Sequence, residues 1–209
     1  MKRGRQAEAR RNDLLVLDAA REVFAVHGPD APIGAVAERA GVGIGTLYRR
    51  YGGKADLLRR LCMLAMEQTI EAAEAALAAE DAWRGLAGYV TTCVGFRSGA
   101  LGALAGTVET TPELWETSRR GRALLEEVVA RARRAGGLRP DVTALDVSWL
   151  VELFGRHGVG DEGVRRRLLA IALDGLRAGA AEPLPGPAPS AADYEGRWRH
   201  PGTARGDGR

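Results

Sequence analysis

The stretch that decides the fold runs Val36-Ala37-Glu38-Arg39-Ala40-Gly41-Val42-Gly43-Ile44-Gly45-Thr46-Leu47-Tyr48. Its spacing predicts two short helices meeting at a tight turn. Ala37 is small enough for the helices to approach closely. Gly41, four residues on, can take the left-handed conformation that a side chain resists. Val42 plugs the corner and Leu47 points back to anchor the second helix. This is the pattern of a helix-turn-helix, whose second helix can lie in the major groove of DNA.

Outward from this stretch the chain reads as helix nearly throughout. Ala, Leu, Arg and Glu dominate, and the alternation of a strand is absent. A first helix is expected over 10–26, with Val16, Leu17, Ala20, Val23 and Phe24 on one face and Gly28-Pro29 as the stop. Short helices follow over 33–40, with Pro32 at the start, and over 44–51. Further helices are expected over 54–79, 82–97, 99–108, 112–135, 143–155 and 161–177. Thr143 and Asp146 are spaced as a capping box. Pro183, Pro185, Pro187 and Pro189 mark an extended, flexible tail in which Trp198 is not expected to dock. The fold class is therefore all-α, divided into a basic arm (1–9), a helix-turn-helix domain (10–58), a second helical domain (59–180) and the tail (181–209).

The 209 residues, 45% hydrophobic and 27% charged, supply a sizeable core and rule out wholesale disorder. No apolar run reaches the roughly 18 residues of a membrane span, and the N-terminus lacks a signal-peptide pattern, so a cytoplasmic location is expected. Cys62 and Cys93 are too far apart for a metal knuckle or redox motif, and His27, His157 and His200 make no ligand set. No phosphate-cradling glycine loop occurs, so no cofactor and no metal are expected. No nucleophile–base pair or carboxylate pair points to catalysis, and an enzyme is not expected. Charge is uneven: residues 1–60 hold 12 basic and 7 acidic side chains, and the remainder 18 and 20. The cationic first quarter suits a phosphate backbone, or is a solvated terminus.

The run from Val16 to Leu58 resembles the DNA-binding domain of TetR-type transcriptional regulators. Val16-Leu17-Asp18-Ala19-Ala20, Phe24, Gly28, Val36-Ala37, Ala40-Gly41-Val42, Gly45-Thr46-Leu47-Tyr48, Tyr51, Lys54 and Leu57-Leu58 carry the likeness. The resemblance implies that Gly43, Ile44 and Gly45 start the recognition helix and approach bases. It implies phosphate contacts from Thr46, Tyr48 and Lys54. Arg49 and Arg50 stand where the family often has an aromatic residue or His, and one of them is expected to read a base. Pro32 and Ile33 replace the family's usual hydroxyl residues, and Gly43 replaces a frequent Ser. Specificity is therefore expected to lean on the two arginines and on DNA shape. Arg3, Arg5, Arg10 and Arg11 are either a minor-groove arm or a mobile tail.

The resemblance also implies a ligand pocket and a homodimer bundle built from the last helices. Met63, Met66, Trp83, Tyr89, Cys93, Phe96 and Trp115 are pocket candidates, large or adaptable residues on the central helices, with plain core as the other reading. Polar candidates are Thr92, Thr107, Glu109 and Thr111. Dimer candidates are Val147, Leu150, Val151, Phe154, Leu168, Ala172, Gly175 and Leu176, with packing inside one chain as the other reading. The expected partners are a double-stranded DNA operator, a second copy of the chain and a small-molecule effector. The reading favoured is a homodimeric repressor released from a palindromic operator by that effector. The alternative is a helical ligand-binding or interaction module that binds no operator.

Overall fold

The computed structural model describes residues 2–96, 102, 104–155, 161–179 and 182–198, with side chains from residue 13 onward. Helix α1 spans Lys2–His27, α2 Ile33–Ala40, α3 Ile44–Tyr51, α4 Lys54–Ala78 and α5 Ala82–Gly95. They are followed by α6 (Pro112–Arg134), α7 (Ala144–Gly155), α8 (Glu162–Gly175) and α9 (Ala191–Gly196). Helix α1 begins eight residues before the expected start, so the stretch expected as an arm is helical. The side chains of Arg3, Arg5, Arg10 and Arg11 lie outside the described residues.

Two apolar cores share α4. The first gathers Val16, Leu17, Phe24, Val36, Leu47 and Leu57 with Leu104, Val108 and Leu114 from farther along the chain. The second gathers Ala73, Leu86, Tyr89, Val90, Leu125, Val128, Val142, Val147 and Leu169. Helix α4, about 37 Å long at 1.5 Å per residue, runs through both: Leu57 to Ala65 serve the first, Ala72 to Ala76 the second. Helix α6 lies along it and does the same with Leu114 and then Leu125. A displacement along either helix is therefore felt in both cores.

Local chemistry sets the boundaries. Asp81, Thr111, Asp161 and Ser190 each accept a hydrogen bond from a first-turn N–H of α5, α6, α8 and α9. The expected box at α7 forms: the Thr143 N–H donates to Asp146 (2.7 Å), and the Asp146 N–H donates to the Thr143 hydroxyl (3.3 Å). In the expected 99–108 helix, the described residues Gly102 and Leu104 are 3₁₀-helical and 105–107 form turns. The other residues of that stretch lie outside the described set.

One expectation is corrected, that Trp198 does not dock. Residues 183–184 and 187–190 lie in no helix or strand, but Ser190 caps α9, and Trp198 packs against the first core. The tail contributes three cavity-facing side chains that composition hides. The dimer candidates also divide. Val147, Val151, Phe154 and Leu176 are buried within the chain's second core, with Leu150 and Ala172 packed against it. Leu168 and Gly175 remain exposed, alongside Leu153, Val164 and Ile171. Val164, Leu168, Ile171 and Gly175 repeat at four- and three-residue steps, so one stripe of α8 faces outward. Its other stripe, Leu169, Ala172, Leu173 and Leu176, covers the core.

Candidate nucleic-acid interface and effector cavity

Helix α2 ends in the motif anticipated from Gly41. Its φ is 66°, the Val42 N–H donates to the Ala37 carbonyl (3.0 Å) and the Gly41 N–H to that of Glu38 (3.1 Å). These paired bonds satisfy carbonyls that a helix end leaves open and aim the chain into α3. Helix α3 is then fixed from one side. Leu47 is wholly buried, and the buried Tyr51 donates its hydroxyl to Asp13 on α1 at 2.5 Å. Burial and this bond to a carboxylate push the Tyr51 phenol well above its ordinary pKa, so it stays a donor. Asp13 also lies 3.6 Å from Arg50. Asp13 was missed in the sequence, where nothing marks an acidic residue 38 positions away as the partner of a tyrosine.

The opposite face of α3 is open. Ile44, Gly45, Thr46, Tyr48, Arg49 and Arg50 are exposed, and so is Gly43. Arg49 folds back along the helix to donate to the Thr46 hydroxyl at 3.2 Å, passing over Gly45. Arg50 is drawn aside by Asp13. Lys54 opens α4, half-buried, with its ammonium 6.0 Å from the Phe24 ring centroid. Seven of the eight sequence-predicted DNA residues are thus exposed and Lys54 is half-buried, with Arg49 over the start of α3 and Arg50 beside Asp13.

The helix N-termini of this region share a feature. Pro32, Gly43 and Gly53 precede α2, α3 and α4, and none gives a side-chain cap. The five helices from α5 to α9 all have one. The first-turn N–H groups of α2 to α4 are therefore left without a side-chain acceptor, where the helix dipole favours an anion. A phosphate fits such an end.

A cavity of about 190 Å³ lies where the two cores meet. Cys62, Ala65, Met66 and Thr69 of α4, Tyr89 of α5, Trp115 and Arg122 of α6, Ser148 and Glu152 of α7 and Tyr194, Glu195 and Trp198 of the tail are among its walls. Of the pocket candidates, Met66, Tyr89 and Trp115 line it. Met63 packs against the first core and Phe96 against the second, while Cys93 is buried inside the second. Trp83 lies elsewhere, under Arg177, whose guanidinium sits 4.8 Å from its ring. Thr92, Thr107, Glu109 and Thr111 lie outside the walls; their neighbour Thr110 is in them. Burial holds the Cys62 thiol at a pKa of about 12, so this wall is uncharged there. Among the described residues no group of His, Cys, Asp and Glu is placed to hold a metal, and no helix is long and apolar enough to cross a membrane.

Comparison with known proteins agrees with this arrangement. Residues 16–61 match the bacterial regulatory proteins of the tetR family, and residues 81–178 match the C-terminal domain of SbtR-like transcriptional regulators. A TetR transcription regulatory protein from Mycobacterium vanbaalenii is 29% identical, with a TM-score of 0.58 over 83% of this chain and 99% of that one. A TetR transcriptional regulator from Streptomyces coelicolor is 23% identical, with a TM-score of 0.59 over 80% of this chain and 99% of that one. The HTH-type regulator TtgW of Pseudomonas putida, itself uncharacterized, is 40% identical over 60 residues, 28% of this chain and 45% of TtgW. The chain thus matches less than half the length of that relative. With both halves matched in order and an open recognition helix beside uncapped helix ends, the chain is a member of the TetR family of transcriptional regulators, with a DNA-binding helix-turn-helix.

Proposed function

We propose that the protein is a homodimeric repressor that leaves a palindromic operator when a small molecule enters the cavity. The observation that carries the reading is the division of α3, with Leu47 and Tyr51 buried and the Ile44, Thr46, Tyr48 and Arg49 face open beside Lys54. Arg49 is the side chain best placed for a base edge. Thr46, Tyr48, Lys54 and the free N–H groups suit phosphates, and Arg50 is held back by Asp13. A second copy is supported by the apolar stripe Val164, Leu168 and Ile171 with Leu153. Two recognition helices are what a palindrome requires.

Release follows from the shared helices. Met66 and Thr69 line the cavity on the same helix that begins at Lys54. The buried Arg21 of α1 donates to Gln68 of α4 at 3.0 Å, tying the DNA-reading helices to the cavity's own turn of α4. A molecule that fits the cavity better in a shifted state of α4 and α6 draws the equilibrium toward that state in proportion to its differential affinity.

The test is fluorescence anisotropy with DNA fragments from around the protein's own gene, across a salt series. Specific binding to a palindromic segment is expected, with the log–log salt slope shallower by about 0.9 in Lys54→Ala and specificity relaxed in Arg49→Ala. Absence of specific binding at low salt, in a genome-wide selection as well as on these fragments, would favour an interaction module without operator binding.

A further inference from the structure

We propose that residues 190–198 are the door of the cavity: a small uncharged molecule enters by displacing this segment, and Tyr194 and Trp198 then close over it. The proposal rests on the effector reading above and names the way in and the residues that hold what has entered. Tyr194, Glu195 and Trp198 line the cavity. The other described walls belong to parts of the chain anchored in a core. Helices α4 to α7 supply buried residues to the two cores, and the stretch 102–110 supplies Leu104 and Val108. From 182 to 198, by contrast, no residue is buried. Among the described walls, this is the one that can part without taking a buried residue out of a core.

The segment hangs from a fixed base on a stiff strap. At the base, the Glu182 carbonyl accepts from Arg139 at 2.6 Å and the Leu184 N–H donates to Asp141 at 2.8 Å. From 185 to 193 no hydrogen bond reaches the body among the described residues. Pro185, Pro187 and Pro189 stiffen this strap, and Gly186 bends it at φ 78°. The tip is fastened by side chains. Glu195 pairs with Arg122, Arg197 donates to Glu152 at 2.8 and 2.9 Å, and Tyr194 meets the Trp149 ring edge-on with centroids 5.7 Å apart. Trp198 adds packing against the first core. A short segment so attached can swing away as a unit while the helices behind it stay in place.

Detachment strands no charge. The charged side chains of the described wall are Arg122, Glu152 and Glu195. With the segment docked, Arg122 is paired with Glu195 and Glu152 with Arg197; with it detached, water reaches each of them. Arg197 Nε, buried without a hydrogen-bond partner in the docked state, gains one from water. The same pairing sets the ligand class. Each wall charge already has a counter-charge, so an ionic ligand would bring an unmatched one. Tyr89, Trp115, Tyr194 and Trp198 in the wall suit a flat ring. A cavity of about 190 Å³ takes a benzene-sized body, since an engineered cavity of ~150 Å³ does so.

Stopped-flow quenching of the wall tryptophans Trp115 and Trp198 by nitrobenzene, in the full-length protein, tests this. In the parent the apparent rate should rise with nitrobenzene concentration and then level off, because opening of the segment becomes the slow step. Trp198→Ala, read through Trp115, and Arg197→Gln should each raise that ceiling on the order of tenfold, the door being held by one fastening fewer. Nitrobenzene at ten times its Kd should slow hydrogen exchange across 190–198 on the order of tenfold, since the bound molecule holds the segment closed. A rate that climbs without a ceiling and is the same in both variants, or exchange across 190–198 unmoved by binding, would overturn the proposal and make the tail a fixed wall. So would failure of nitrobenzene to bind the parent and both variants. Ungated entry that still releases operator DNA would overturn the door and leave the effector reading standing. Gated entry that leaves the operator complex intact would keep the door and count against the effector reading.

Discussion

Gly41→Ala and Gly88→Ala are the same chemical change, and the structure assigns them opposite signs. Gly41 sits at φ 66°, ψ 29°, and a Cβ there would meet nothing within 4 Å. The whole cost is therefore conformational. A side chain in the left-handed region loses about 1–2 kcal/mol. The stiffer unfolded chain returns about 0.4–1 kcal/mol, so a net loss of about 0.5–1 kcal/mol is expected. Gly88 is exposed in the middle of α5, also with nothing within 4 Å. Alanine there should stabilise by about 0.8–1 kcal/mol through helix propensity alone. Urea unfolding at one fixed protein concentration, followed by far-UV circular dichroism, should separate the two midpoints by a gap worth about 1.3–2 kcal/mol. Gly41→Asn should lie between Gly41→Ala and the parent, because Asn tolerates the left-handed region. Two midpoints displaced in the same direction would refute the account of the turn. Operator affinity should fall in Gly41→Ala alone, since only that residue aims α3.

Ile171→Glu, at a position 60% exposed on the outward stripe of α8, should give a monomer in sedimentation with unchanged helix content; a persisting dimer would move the interface elsewhere. Burial holds the thiols of Cys62 and Cys93 at a pKa of about 12. With roughly one thiol in ten thousand ionised at pH 8, iodoacetamide should label neither until the protein unfolds, and rapid labelling of the native form would contradict the packing. Asp141 accepts from Arg139 at 2.6 and 2.9 Å and from the Leu184 N–H at 2.8 Å, bonds that hold its pKa down at about 2. A depressed folded pKa means stability that is present above pH ~4 and lost as pH falls toward 2. Asp141→Asn should accordingly flatten the acid limb of the stability profile, and an unchanged limb would show the contact to be without weight.

The helix-turn-helix was legible because its determinants are local. A left-handed glycine, a small residue four positions before it and a buried Leu47 act within one turn of chain, and periodicity put Val16, Leu17, Ala20, Val23 and Phe24 on the face that is in fact buried. The same holds for the α7 capping box, which closes over four residues. The pocket was legible only as a set of helices. Met66 and Cys93 are equally plausible wall residues in sequence, and only the rotation of each helix in its bundle put one in the cavity and the other in the core. Helix α8 misled for a similar reason. It has an apolar stripe on each of two sides, and which one meets the core is set by its neighbours.

The tail is the clearest division between the two sources. Its prolines forbid helix and sheet over 183–189, a local steric fact that composition states correctly. That Trp198, Glu195 and Arg197 return to the body depends on partners at Glu152 and Arg122, tens of residues away, in positions created only when α6 and α7 pack. The amino-acid sequence alone thus determined the helices, their breaks and the DNA-reading turn, since each is settled by backbone preference and side-chain spacing within a few residues. The tertiary structure decided the cavity and the outward face of α8. These depend on contacts between distant segments, which no local preference encodes.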